Sequence, residues 1–149
     1  VIPLTIGPPA LFQPFRQFLT DSYYSEAKVC DRLGLSRAQD FLTLRPNPAA
    51  PHPIRDSLDL LARLFLIGEF VKKHEIEARV PAPALASMKA LGLIAPAPSQ
   101  PDSWFATVAL YPAYGLYIVS DRWTSPEAAP IKGAADVVYP AITVNTREF

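Results

Sequence analysis

At 149 residues the chain is one ordinary domain or two very small ones, long enough to bury a real core. Half of it is apolar and 19% is charged, which excludes disorder throughout. The formal net charge is 0, which counts against a protein that holds nucleic acid mainly through phosphates, and the single cysteine excludes an internal disulfide framework.

Residues 1–50 read as a small helical bundle. Leu11, Phe15 and Phe18 fall at helical spacing, and Pro14 fits only in a first turn, so the first helix is expected to start near Gln13. Ser25 to Leu33 forms a second helix that buries Val29, Cys30 and Leu33 and stops at Gly34. Ser36 and Gln39 make a capping-box pair for a short third helix carrying Phe41 and Leu42. Arg45 to Pro53 holds four prolines and reads as a linker or a rigid surface loop.

Residues 53–122 form the next unit. Pro53 suits the first position of a helix whose apolar face is Ile54, Leu58, Leu61 and Phe65, with Arg55, Asp56, Asp59 and Arg63 turned to the other side and Gly68 at its end. Phe70 and Val71 suit a very short strand. A helix over about Lys73 to Val80 buries Ile76 and sets Glu75 four residues before Arg79; another, opened by Pro83, buries Leu85, Met88 and Leu91 and ends at Gly92. The period then changes to two: a stub at Leu93-Ile94, a loop over Ala95 to Asp102, a strand over Trp104 to Tyr111 and a return over Leu116 to Asp121. The fold expected is therefore α+β, mainly α with a small β-hairpin: a helical amino-terminal bundle followed by a winged helix-turn-helix, with a generic α+β domain as the alternative.

Chemistry-bearing motifs are sparse. His52 and His74 lack metal-ligand spacing; His52 reads as a helix cap and His74 as an exposed residue. Cys30 reads as a buried core thiol. No phosphate loop, nucleophile elbow or dinucleotide fingerprint occurs. Asp121 and Arg122 read as a charge pair ending a strand, and Tyr111, Tyr114 and Tyr117 as packing across a hairpin rather than a stacking platform for bases. In the helix from Pro83 to Gly92, Ser87 and Lys89 are the non-apolar side chains, too few for a groove reader. Lys72, Lys73, Arg79 and Lys89 are the candidate contacts to a substrate or partner, among the acids Glu69, Glu75 and Glu77. The longest apolar stretch, Leu64 to Ile67, is too short for a bilayer, and no signal-peptide pattern opens the chain, so no membrane is expected and the cytoplasm is the default location.

Residues 123–149 read as a linker. An apolar run from Val137 leads to Asn145 and Glu148, a cap pair that starts a helix in the last residues, so a further domain is expected to follow. Val-Ser-Asp-Arg at Val119 to Arg122, then Asp-Val-Val-Tyr-Pro-Ala-Ile-Thr-Val-Asn-Thr-Arg-Glu-Phe at Asp136 to Phe149, resemble the region before the catalytic domain in a group of bacterial class I S-adenosylmethionine-dependent methyltransferases. In outline the last segment is also similar to the run introducing the catalytic domain of release-factor glutamine methyltransferases: Pro140, Thr146 and Glu148 match, while Ala141 and Ile142 replace an Arg-Pro and Arg147 separates the Thr from the Glu.

The resemblance implies a non-catalytic domain that selects the substrate or builds a homodimer, docked on its own catalytic domain. The methyl acceptor would be an amide or amino nitrogen of protein or nucleic acid. S-adenosylmethionine would bind in that catalytic domain and not within residues 1–149, with Tyr139, Pro140, Thr143 and Asn145 at the edge of its pocket. The rivals are a winged-helix DNA-binding regulator and a purely structural dimerisation module.

Overall fold

The structure, a computed structural model, describes residues 4–5, 7–122, 124–127, 138 and 142. Helix α1 spans Pro9–Asp21 and α2 spans Glu26–Leu33. The first helix starts four residues earlier than the proline argument puts it. Pro8 and Pro9 open it, and Pro14 lies inside, so the missing N–H is tolerated beyond the first turn. The second behaves as read: the Ser25 hydroxyl accepts from the Lys28 N–H, and Gly34 takes the left-handed conformation that ends the helix. The third helical element is a 3-10 helix, Ala38–Thr43, whose start is held by Asp40 rather than Gln39. The Asp40 carboxylate accepts the backbone N–H groups of Ser36 and Arg37.

Helix α3 is Ser57–Leu61, continued by a π-helical turn over Ala62–Ile67. Pro53 and Ile54 lie outside it, because Asp56 makes the cap: its carboxylate accepts the Asp59 N–H at 2.9 Å. Then come β1 (Val71–Lys72), α4 (Lys73–Arg79), α5 (Ala82–Ala90), β2 (Ile94–Ala97) and β3 (Gln100–Ala106). The strands form an antiparallel sheet in the order β1-β3-β2. The turn between β2 and β3 is only Pro98-Ser99; Ala95 and its neighbours, read as loop, are paired strand.

The strand expected over Trp104 to Tyr111 is broken. β3 ends at Ala106, Thr107 turns back so that its N–H and hydroxyl meet the carbonyls of Leu93 and Gly92, and a second sheet begins at Ala109. That sheet is a hairpin of β4 (Ala109–Ala113) and β5 (Leu116–Ser120), joined by Tyr114 and Gly115, both at positive φ as a two-residue hairpin turn demands.

Among the described residues, the buried side chains form one apolar cluster running from Phe15 and Tyr24 through Leu60, Leu64 and Phe65 to Met88, Leu110 and Tyr111. Phe15 packs against Phe65, and α1 lies along α5. The Tyr24 hydroxyl donates to the Leu110 carbonyl at 2.7 Å, and its ring stacks on Tyr117. Ile142, in the segment read as a linker, is fully buried in this core. Among the described residues no helix is long and apolar enough to cross a membrane.

Candidate functional site

The four basic residues singled out by sequence divide in two. Lys73 and Lys89 rim a shallow groove between α4 and α5 whose floor is Ile76, Leu85 and the Trp104 ring. The Lys89 ammonium sits 4.8 Å from the centre of that ring, a cation–π contact, while Lys73 lies 3.7 Å from Glu77. Lys72 is exposed at the end of β1. Arg79 is turned away: it pairs with Glu75 and donates to the Ile54 carbonyl at 3.0 Å, tying α4 to the entry of α3. The groove is too small to enclose a drug-sized ligand.

Helix α5 presents Ala82, Pro83, Ala86, Lys89 and Ala90 outward. Ser87, counted as one of its two non-apolar side chains, is buried and donates to the Pro83 carbonyl. Lys89 therefore supplies the only charge on the helix.

Two clusters of charge were not legible as such. Asp59, expected on the solvent side, is buried and accepts from Arg32 at 2.6 Å and from Arg55 at 2.8 Å; Arg32 also grips Asp56. Burial raises the Asp59 pKa, but the hydrogen bonds from Arg55 and Arg32 outweigh it and hold the carboxyl below its usual range. Glu69, expected beside the lysines, is buried too. It accepts the N–H groups of Asn47 and His52 and meets the His52 ring at 2.9 Å. Arg63 Nε lies 2.7 Å from the Glu69 carboxylate without aiming its hydrogen at it, so that contact is an ion pair and not a hydrogen bond. His52 is thus a Glu69 partner and not a helix cap, and the proline-rich segment is a pinned loop.

Asp121 and Arg122 do not pair. The Asp121 carboxylate accepts the Val138 N–H, and its own N–H donates to the Val138 carbonyl. Arg122 turns inward under Gly68, donating to the carbonyls of Ala106 (2.8 Å) and Leu64. Burial lowers its pKa to about 10, against the Tyr111 and Tyr24 hydroxyls nearby, which favour its charge. Tyr111 is buried, so the three hairpin tyrosines do not share one exposed platform. Cys30 is buried as read, with its thiol pKa pushed up by burial and by Glu26 and Asp40. His74 is exposed. Trp123, Tyr139, Pro140, Thr143 and Asn145, with the helix start at Asn145 and Glu148, lie outside the described residues.

An open cleft of about 560 Å³ lies between the α1–α2 turn and the start of α3, lined by Tyr23, Lys28, Arg32, Asp56 and Ser57. Its Arg32 is held by Asp56 and Asp59, and its Ser57 hydroxyl donates to the Arg79 carbonyl. Among the described residues no three His, Cys, Asp or Glu side chains are grouped to hold a metal ion. No family model, curated protein or solved structure matches the chain.

Proposed function

We propose that residues 57–106 are a winged helix-turn-helix and that the chain is the non-catalytic recognition domain of a class I S-adenosylmethionine-dependent methyltransferase. The observation that carries the fold reading is the order α3, β1, α4, α5, β2, β3, with the two-residue β1 paired to the outer side of β3: Val71 lies opposite Trp104 and Lys72 opposite Ser103. The β2–β3 hairpin is then the wing and α5 the recognition helix. The motif run from Asp136 to Phe149 supports the methyltransferase reading, with Tyr139, Pro140, Thr143 and Asn145 at the edge of a cofactor pocket built by the following domain.

The composition of α5 favours a protein acceptor over a DNA groove. Its outward face is Ala82, Pro83, Ala86 and Ala90 around one lysine, and the wing turn Pro98-Ser99 carries no cation. Ile76, Leu85 and Trp104 supply an apolar floor, rimmed by Lys89 and by Lys73 with its partner Glu77, suited to a peptide segment.

Two titrations of the 149-residue chain and one assay on the longer protein test this. Calorimetry with S-adenosylmethionine is expected to show no binding, and micromolar binding would overturn the assignment. Fluorescence anisotropy with duplex DNA is expected to give a dissociation constant of about 10⁻⁴ M or weaker at physiological salt. Sequence-selective submicromolar binding would establish the DNA-binding regulator instead. Deleting residues 1–149 from the longer protein is expected to leave cofactor binding intact and abolish methylation of its acceptor.

A further inference from the structure

We propose that β5 is a self-association edge, on which a second copy of the chain adds its own β5 antiparallel, joining two hairpins into a four-stranded sheet. An exposed strand edge offers unpaired N–H and C=O groups to any passing strand, and proteins blunt such edges. Among the described residues the other three edges are blunted. β1 is two residues long and carries exposed Lys72. β2 contains Pro96 and a register shift next to it. β4 contains Pro112, and its Leu110 carbonyl is taken by the Tyr24 hydroxyl. β5 reads Leu-Tyr-Ile-Val-Ser: no proline, no charge, no bulge. Leu116 is 65% exposed, and Tyr117 and Val119 are each 39% exposed.

The register of the hairpin says which backbone groups are free. Around the two-residue turn, Ala113 and Leu116 make the first hydrogen-bonded pair, so Tyr111–Ile118 and Ala109–Ser120 follow as bonded pairs. Tyr117 and Val119 then point their N–H and C=O groups away from β4. Pro112, which has no N–H, sits opposite Tyr117 at a position that needs none. The next residue of the same parity, Asp121, does send its N–H outward, to Val138. Among the described residues nothing pairs with the outward groups of Tyr117 and Val119.

A two-fold axis at Ile118 uses those groups completely. Tyr117 of one copy faces Val119 of the other, and each of the two such pairs exchanges both of its N–H to C=O bonds. Aromatic and β-branched side chains meet across the new pair, a favourable combination, and the operation opposes no like charges because β5 has none. The surface is self-complementary, as a two-fold interface requires. With five residues a side it falls short of a standard interface, so the expected association is micromolar rather than nanomolar.

The test is sedimentation velocity on the 149-residue chain across a concentration series, with the double substitution Tyr117→Lys and Val119→Lys. The wild type is expected to pass from monomer to dimer, and the lysine variant to associate at least about tenfold more weakly. Circular dichroism and a thermal melt check that the variant folds. Mixing it at low salt with the matching Glu variant is expected to restore a dimer, since Lys then faces Glu across the two-fold. A wild type still monomeric at about 100 µM, or a folded lysine variant that dimerises as well as wild type, overturns the proposal. So does a lysine–glutamate mixture that stays monomeric while wild type dimerises.

Discussion

Replacing Glu69 by alanine should be one of the most damaging single changes outside the apolar core. Its carboxylate is 4% exposed and serves four partners: the Asn47 and His52 N–H groups, the His52 ring and the Arg63 guanidinium. Removing one side of a buried ion pair costs about 3–5 kcal/mol, because the other charge stays behind without compensation. Two features put Glu69→Ala at the low end. Arg63 is 16% exposed and keeps its bonds to the His52 and Phe70 carbonyls, and the freed loop amides lie on an exposed segment where water can reach them. The expected loss is therefore about 3 kcal/mol, equivalent to a fall in Tm of roughly 6–12 °C for a chain of this size. Glu69→Gln keeps an acceptor for the loop but loses the charge, and should cost about 1–2 kcal/mol. Urea denaturation gives the free energies, and hydrogen exchange at Asn47 and His52 reports the loop directly. Those two amides should lose protection before any core amide does. If Glu69→Ala falls within about 1 kcal/mol of wild type and leaves both amides protected, the loop is held by something other than this carboxylate.

Two further substitutions probe the other joints. Asp59→Asn should cost about 1–2 kcal/mol at pH 7, discounted because Arg55 is largely exposed and Arg32 keeps Asp56. Because the folded pKa of Asp59 is depressed, its contribution is present above the unfolded value of about 3.9 and is lost as pH falls through the lower folded value. The gap between wild type and Asp59→Asn should thus close in acid urea titrations, and a gap unchanged from pH 7 to pH 2 refutes the assignment. Gly68→Ala should cost about 2–4 kcal/mol, since Gly68 sits at φ +82° and an added methyl would crowd the Arg122 guanidinium, with Cζ at 3.0 Å. A melt within one degree of wild type would show that Arg122 need not lie there.

Local signals carried much of the fold. Ser25 and Gly34 bound α2, Gly68 ends the α3 segment, and the apolar pair Phe70 and Val71 places β1 to within a residue, because caps, stops and burial patterns act within a few residues. The misreadings have physical causes of another kind. Asp56 with Asp59 three residues on is itself a cap signature, but Pro53 at an equally good first position obscured it. The break at Thr107 is hidden because Trp104 to Tyr111 keeps its period while changing sheets; only the distant carbonyls of Gly92 and Leu93 reveal it. The π turn over Ala62–Ile67 has the same apolar composition as an α turn. Sequence alone puts Asp59 on the polar side of its helix and Glu69 beside the lysines, because a charge with no local partner reads as a surface group. Arg32 lies 27 residues from Asp59, so no local pattern announces the pair.

Those missed charges share a role. Asp59 joins α3 to α2, Glu69 joins the proline-rich loop to the end of the π turn, and Arg122 joins the segment after β5 to the same turn and to the end of β3. Each fixes a junction between elements distant in sequence, where apolar contact alone would allow sliding. A buried carboxylate or guanidinium with directed partners allows one arrangement, and any other leaves a charge unsatisfied. On the α4–α5 face, Lys73 and Lys89 have weaker ties: a half-exposed i,i+4 pair and a ring contact. Charge at the junctions is thus committed to holding the scaffold, and charge on that face is free to exchange partners at little cost. That asymmetry agrees with the proposal that the α4–α5 face meets a protein segment, because α5 turns only small side chains and one lysine outward beside it.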